Sequence, residues 1–220
     1  MSVHDVIRAL PDIDVVRARS RAMAMLDAAL SPEWDFRYYS YNSAWSPTEE
    51  LASFRSGGGD SYSIVFSPAG AYVNGFDHES PLSPWVRRTR DPWPGMFDGV
   101  PAAFQSCVDD IAFRELDGTR STTFCLWREH SDPQWRTGKA EIPPGADDGA
   151  SWLLELLVDG RPESYHRFAE TNFETRIDLD AVRHVFALRP LTAGVVAAIN
   201  PDASPSGLGK DIAEIGYPAS

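Results

Sequence analysis

Two short runs of acidic residues and histidine have the side chains that proton transfer or metal binding needs. They are Asp77-His78-Glu79 and Glu129-His130, and each directly follows a predicted strand. Carboxylates and imidazoles transfer protons near neutral pH and bind divalent metals. If the two strand ends lie together, the five side chains predict a metal-dependent hydrolase, with His78, Glu79 and His130 as candidate catalytic residues. The alternative interpretation is that these are ordinary polar residues at strand ends.

Motifs for other chemistries are missing from the sequence. It contains no GxSxG, no HExxH and no CxxC. Cys107 lies on a predicted helix and Cys125 in the middle of a predicted strand, and both are expected to be buried, inert thiols. The triple glycine at 57–59 lacks the Lys-Ser/Thr of a phosphate loop. We therefore expect no cofactor, and the sequence leaves open whether the protein is an enzyme.

The charge is strongly negative and unevenly distributed along the chain. Lys and Arg number 20 against 32 Asp and Glu, which gives −12. The excess lies in residues 31–80 and 141–220. A charge of this sign disfavours binding to nucleic acid and to anionic membranes, and predicts an acidic surface that attracts a basic partner protein. The arginines between 87 and 90 are interpreted as part of a solvated loop.

Tryptophans in predicted loops are candidate binding residues. They are Trp45, Trp85 and Trp93, and large aromatic side chains often anchor protein interfaces. Together with Asp77, His78 and Glu79 they form the predicted binding set. Two alternatives remain open: the tryptophans pack Pro-rich segments onto a sheet, or the loop from Trp85 to Trp93 covers a small-ligand pocket.

Hydrophobic patterns predict helices first, then antiparallel strands, then more helices. A helix is predicted from about Asp12 to Leu30, and alternating aromatic residues from Phe36 predict a first strand. Segments 61–66 and 71–76 flank a turn with Pro and Gly and predict a hairpin. Another strand is predicted at 121–129, and a short helix near Pro101.

Helical periodicity continues from about residue 150 to the end. Asp178 and Thr192 are predicted N-caps, Ser204-Pro205 the start of a last helix, and Gly216 its C-terminal residue. Because no βαβ alternation occurs, the fold class is α+β. We expect one domain, 1–220, with a sub-boundary near 140–150 between a sheet part (1–142) and a helical part (147–220).

Four segments carry a resemblance to a known group of proteins. WSPTEELASFRSGGGDSYSIVF, VNGFDHESPLSPW, TTFCLWR and DIAEIGYP resemble an uncharacterised family of bacterial cytoplasmic α+β proteins, similar in style to small acidic immunity proteins that neutralise a toxin. The segregated charge and the missing catalytic motifs predict a non-catalytic protein that binds a basic partner protein, and the resemblance suggests a toxin as that partner. The alternative is the metal-dependent hydrolase. The free thiols and the start of the chain, which lacks a basic, apolar leader, also favour a cytoplasmic location.

Overall fold

The computed structural model describes residues 2–110, 113–115 and 117–219. Its six strands form an antiparallel sheet in chain order and confirm the α+β fold. The strands are β1 (Tyr39–Asn42), β2 (Glu50–Arg55), β3 (Ser61–Ser67), β4 (Gly70–Phe76), β5 (Phe124–Glu129) and β6 (Arg136–Thr137). The helices are α1 (Val3–Ala9), α2 (Ile13–Leu30), α3 (Pro84–Arg87), α4 (Gln105–Asp109), α5 (Ala150–Leu153), α6 (Glu155–Asp159), α7 (Pro162–Asn172), α8 (Leu179–Phe186), α9 (Ala193–Ile199) and α10 (Gly209–Ile215). No helix within the described ranges is long and apolar enough to span a membrane.

The chain divides into two compact units. The first consists of Met1–Ile13 and Arg55–Val158, and the second of Asp14–Phe54 and Asp159–Ser220. The boundary expected near 140–150 lies inside the first unit. Both units are acidic: the first has 17 acidic and 10 basic residues, and the second has 15 and 10.

In the first unit, the predicted hairpin is confirmed. Strands β3 and β4 pair from Ser61↔Phe76 to Ser67↔Gly70, which leaves Pro68 and Ala69 as the turn. Strand β5 pairs with β4 and begins at Phe124, three residues later than predicted. The sheet buries large apolar side chains in this unit, including Ile64, Phe66, Tyr72, Phe124 and Leu126. Three short elements of this unit, α1, α3 and β6, were not predicted, because none is long enough to show a clear period; α3 includes Arg87, which was interpreted as part of a loop.

In the second unit, the helix caps agree with the sequence. The Asp178 carboxylate accepts a hydrogen bond from the Ala181 N–H at 2.9 Å, and the Thr192 hydroxyl accepts one from the Val195 N–H. Gly216 has φ +64° and ends α10. The predicted start of α10 was wrong, because the helix begins at Gly209 rather than at Ser204.

The first strand also begins later than predicted. A 3₁₀ helix occupies Trp34–Phe36, and β1 starts only at Tyr39. Of the alternating aromatic residues, Tyr39 and Tyr41 lie in β1 as predicted, whereas Phe36 belongs to the tight turn after α2.

A buried carboxylate fixes the chain beyond this turn. Asp27 of α2 is completely buried. Its Oδ2 accepts hydrogen bonds from the N–H groups of Tyr38 and Tyr39 at 2.8 and 2.9 Å, and its Oδ1 accepts one from the Tyr165 hydroxyl at 2.6 Å. Burial raises the pKa of Asp27 to about 7, although these hydrogen bonds and the nearby Arg37 favour the charged form. One side chain thus joins α2, β1 and α7.

The raised pKa of Asp27 predicts that stability falls as the pH rises. The folded protein keeps the Asp27 proton between an ordinary pKa of 3.8 and about 7, whereas the unfolded chain loses it. The free energy of unfolding should therefore fall across this window, by on the order of 4 kcal/mol. In D27N this contribution should vanish. Chemical denaturation of wild type and D27N at a series of pH values measures it.

The matched control for D27N is D35N, which removes an exposed carboxylate from the same unit. D35N should keep the pH dependence of wild type. An unchanged pH dependence in D27N would contradict the assignment.

Candidate functional site

The first predicted run, Asp77-His78-Glu79, lies in a turn directly after β4. Asp77 Oδ1 accepts hydrogen bonds from the N–H groups of Glu79 and Ser80, and Oδ2 accepts one from the Trp152 indole at 3.0 Å. These bonds close the turn and fix the Asp77 carboxylate.

Asp60 directly precedes β3 and pairs with His78, which lies in the turn after β4. Asp60 Oδ1 lies 2.6 Å from His78 Nδ1 and also accepts a hydrogen bond from the His78 N–H at 3.0 Å. Asp60 Oδ2 accepts a hydrogen bond from the Ser56 hydroxyl. Because Asp60 and His78 are 18 positions apart, only the β3–β4 pairing brings them together, and no local sequence pattern could indicate the pair.

The Asp60–His78 pair changes the pKa of both groups. The hydrogen bond to Asp60 raises the pKa of His78 above its ordinary value, although desolvation opposes it. Partial burial alone would raise the pKa of Asp60, but hydrogen bonds from His78 and Ser56 outweigh burial and lower it. Since Nδ1 faces Asp60, Nε2 is the ring nitrogen that can exchange a proton with a ligand.

Asp60, Asp77 and His78 also have the geometry of a metal-ligand set. One ligand atom from each lies within 4.8 Å of the others. However, each of the four carboxylate oxygens already has a hydrogen-bonding partner. A cation would have to replace some of these bonds, so the observed arrangement favours an ion pair that stabilises the turn.

The second predicted run, Glu129-His130, does not join this cluster. In the antiparallel register, Glu129 pairs with Gly70 at the start of β4, whereas Gly75 near its end pairs with Phe124. Six residues of strand therefore separate the two runs by about 20 Å. The predicted convergence of Asp77, His78 and Glu79 with Glu129 and His130 was wrong. The C-terminal ends of two neighbouring antiparallel strands lie at opposite ends of the strand pair.

The three predicted binding tryptophans have different environments. Trp45 in the β1–β2 connection is 41% exposed, and Trp85 on α3 is 54% exposed. Trp93 is half-buried: the Arg87 guanidinium lies over its ring at 4.9 Å, and its indole N–H donates to the Glu141 carbonyl. Trp93 therefore packs the Pro-rich loop.

The cysteines lie in apolar surroundings. Both are buried, and burial raises the pKa of Cys125 to about 12. The Cys125 Sγ lies 3.0 Å from the Met96 carbonyl oxygen. A thiol in this state is a poor nucleophile.

An exposed segment that the sequence analysis missed follows α2. We call residues 32–36, Pro-Glu-Trp-Asp-Phe, the acidic-aromatic segment. All five are exposed, with Trp34 at 49% and Phe36 at 67%. Trp34 also lines a small surface pocket together with Asp211 and Glu214 of α10. Trp34 therefore lies near two carboxylates of α10, and its neighbours in the chain are Glu33 and Asp35.

Arg37 holds this segment in place. Its side chain is 8% exposed. The guanidinium donates to the carbonyls of Ser31 and Pro32 at 2.8 and 3.0 Å and pairs with Asp211 at 2.6 Å. A planar group with several donors can make all these bonds at once, which a lysine cannot. The acidic-aromatic segment is thus exposed yet rigidly anchored.

Comparisons of the chain with protein-family models, with curated proteins and with solved structures find no match.

The Asp60–His78 pair predicts a measurable change in the titration of His78. Replacing Asp60 in D60N should lower the pKa of His78 toward its ordinary value of 6.5, because the hydrogen bond to the charged form is lost. NMR titration of the histidine rings measures the change. Glu79 lies 4.0 Å from His78 Nε2, so the control E79Q should have a smaller effect. An unaltered His78 midpoint in D60N would rule out the pairing.

Arg37 predicts local rigidity in the acidic-aromatic segment. The R37K variant retains a charge for Asp211 but cannot make all three contacts. The amides of Phe36 and of position 37, which bond to Glu33 and Trp34 carbonyls, should exchange roughly tenfold faster or more. Hydrogen exchange measured by NMR tests this. Amides of α8 are the internal control, and equal exchange in both proteins would contradict the role of Arg37.

Proposed function

We propose that the protein is a non-catalytic binding protein whose acidic-aromatic face docks a basic partner protein. The acidic-aromatic face comprises Glu33, Trp34, Asp35, Phe36, Asp211 and Glu214. The observation that carries the proposal is the exposure of Trp34 and Phe36 on a segment that Arg37 holds rigid.

The composition of the face favours a protein interface. Burying an exposed Trp or Phe side chain in a complex contributes about 1.5–3 kcal/mol, and such aromatic residues are frequent interface hot spots. The carboxylates of Glu33 and Asp35 flank Trp34 in sequence, and Asp35 also precedes Phe36. They would steer a basic surface toward the rings and disfavour acidic competitors.

The rigid backbone of the acidic-aromatic segment also favours binding to a partner protein. A flexible loop would lose conformational entropy on binding, which reduces affinity. Here the backbone of the segment is already held by Arg37 on one side and by Ser31, whose hydroxyl donates to the Glu33 carbonyl, on the other. The resemblance to small acidic immunity proteins suggests a toxin as the basic partner.

Affinity capture with matched variants tests the proposal. Immobilised wild type should retain a basic protein from an extract of the source cells at about 0.1 M salt and release it at about 1 M, because charge attraction is screened. The double variant W34S/F36S should lose the protein. With the partner purified, its dissociation constant should rise at least roughly 30-fold in this variant.

The control is V15S, which removes a 40% exposed apolar side chain from α2 in the same unit. It should bind the partner as wild type does. Equal binding by wild type and W34S/F36S, or no basic protein retained by wild type, would overturn the proposal.

A further inference from the structure

A second exposed segment, on the first unit, has the opposite charge. We call residues 84–90, Pro-Trp-Val-Arg-Arg-Thr-Arg, the basic-aromatic segment. Trp85 and Val86 are each 54% exposed. The segment contains three arginines and no acidic residue, although its unit as a whole has seven more acidic than basic residues.

Hydrogen bonds that a buried serine accepts hold this segment in shape. The Ser83 hydroxyl accepts from the Trp85 N–H at 3.2 Å, and the Ser83 carbonyl accepts from the Arg87 N–H at 3.0 Å. Ser83 itself is completely buried. Arg88 then ends α3 in the left-handed conformation, with φ +55°. The apolar tip is therefore presented by a rigid turn.

The arginines differ in how far their charge is neutralised. The Arg87 guanidinium lies over Trp93, and Arg90 is 3.8 Å from Asp117. The guanidinium of Arg88 makes no hydrogen bond or ion pair with any part of the chain that the structure describes, and it is exposed. Positive charge is thus available next to Trp85 and Val86.

We propose that the basic-aromatic segment of one molecule docks on the acidic-aromatic face of a second copy of the chain. This inference rests on the proposed function, because it uses the same face; the basic surface that it assigns to that face is a segment of the acidic chain itself. The two surfaces have opposite charge, each exposes two apolar side chains, and each is rigid. Nucleic acid and anionic lipid also attract arginine, but binding them depends on several cationic side chains acting together, and two of the three arginines here already lie against Trp93 or near Asp117.

The proposed contact is head-to-tail, because it joins two different surfaces. Each bound pair still has one free face of each kind. Association therefore continues as the protein concentration rises, unless the rotation between copies closes a ring.

Sedimentation velocity with two complementary variants tests the inference. Wild type at about 0.1 M salt should show an average mass that grows with concentration, and it should become monomeric at about 1 M. W34S/F36S retains only the basic-aromatic segment, and W85S/R88S retains only the acidic-aromatic face. Each should be monomeric alone. An equimolar mixture should form a 1:1 pair and nothing larger, because the pair has no remaining functional face.

Three further measurements keep the result interpretable. Thermal unfolding establishes that each variant is folded, and R88E, which changes only an exposed charge, should weaken association by itself. V15S removes a 40% exposed apolar side chain from α2, outside both docking segments, and should associate as wild type does.

A monomeric wild type at all concentrations, or a mixture of the two variants that stays monomeric, would overturn the self-docking. If wild type is monomeric but still binds a basic protein through Trp34 and Phe36, only this inference fails and the proposed function stands. If wild type associates and W34S/F36S associates equally, the acidic-aromatic face is not the docking site. This inference then fails, and self-association no longer supports the acidic-aromatic face as a binding surface.

Discussion

Asp27 places a carboxylate at the centre of the second unit, where the N–H groups of Tyr38 and Tyr39 and the hydroxyl of Tyr165 all donate to it. Burying a charge is costly unless hydrogen bonds compensate for it. Here the compensation requires that α2, β1 and α7 keep their positions. Arg37 immediately precedes the two tyrosine amides, so the bonds to Asp27 also fix the direction in which Arg37 leaves the backbone.

This arrangement explains how the second unit can hold the exposed Trp34 and Phe36 on a segment with a fixed conformation. Arg37 uses its guanidinium to bind the carbonyls on the other side of the turn and Asp211 on α10. In the first unit, the buried Ser83 holds the backbone at the exposed Trp85, because its hydroxyl accepts a hydrogen bond from the Trp85 N–H. In both cases a buried polar side chain makes the backbone rigid, and the exposed rings cost little further entropy when a partner covers them.

Local sequence signals predicted local structure well. The Pro68-Ala69-Gly70 turn and the Asp178 cap depend on residues within four positions of one another, and both are confirmed. The site could not be predicted in this way. Arg37 and Asp211 are 174 positions apart, and no local pattern links them. The alternating aromatic residues from Phe36 onward indicated only that Arg37 lies in a strand. Likewise, the expected meeting of His78 and His130 depended on strand direction, which neither run encodes.

Net charge alone does not locate a binding surface in this chain, because both units have an acidic excess. What distinguishes the two segments is charge beside exposed aromatic side chains. Two copies that each carry −12 repel one another over a distance set by the ionic strength, about 10 Å at 0.1 M and about 30 Å at 0.01 M. The attraction that we propose between the basic-aromatic segment and the acidic-aromatic face would act only at contact. Very low salt therefore strengthens mainly the long-range repulsion between the two net charges. High salt screens this repulsion and also the short-range attraction between the two segments. If copies dock through these segments, association must be strongest at intermediate ionic strength, whereas simple attraction of opposite net charges would only weaken as salt is added.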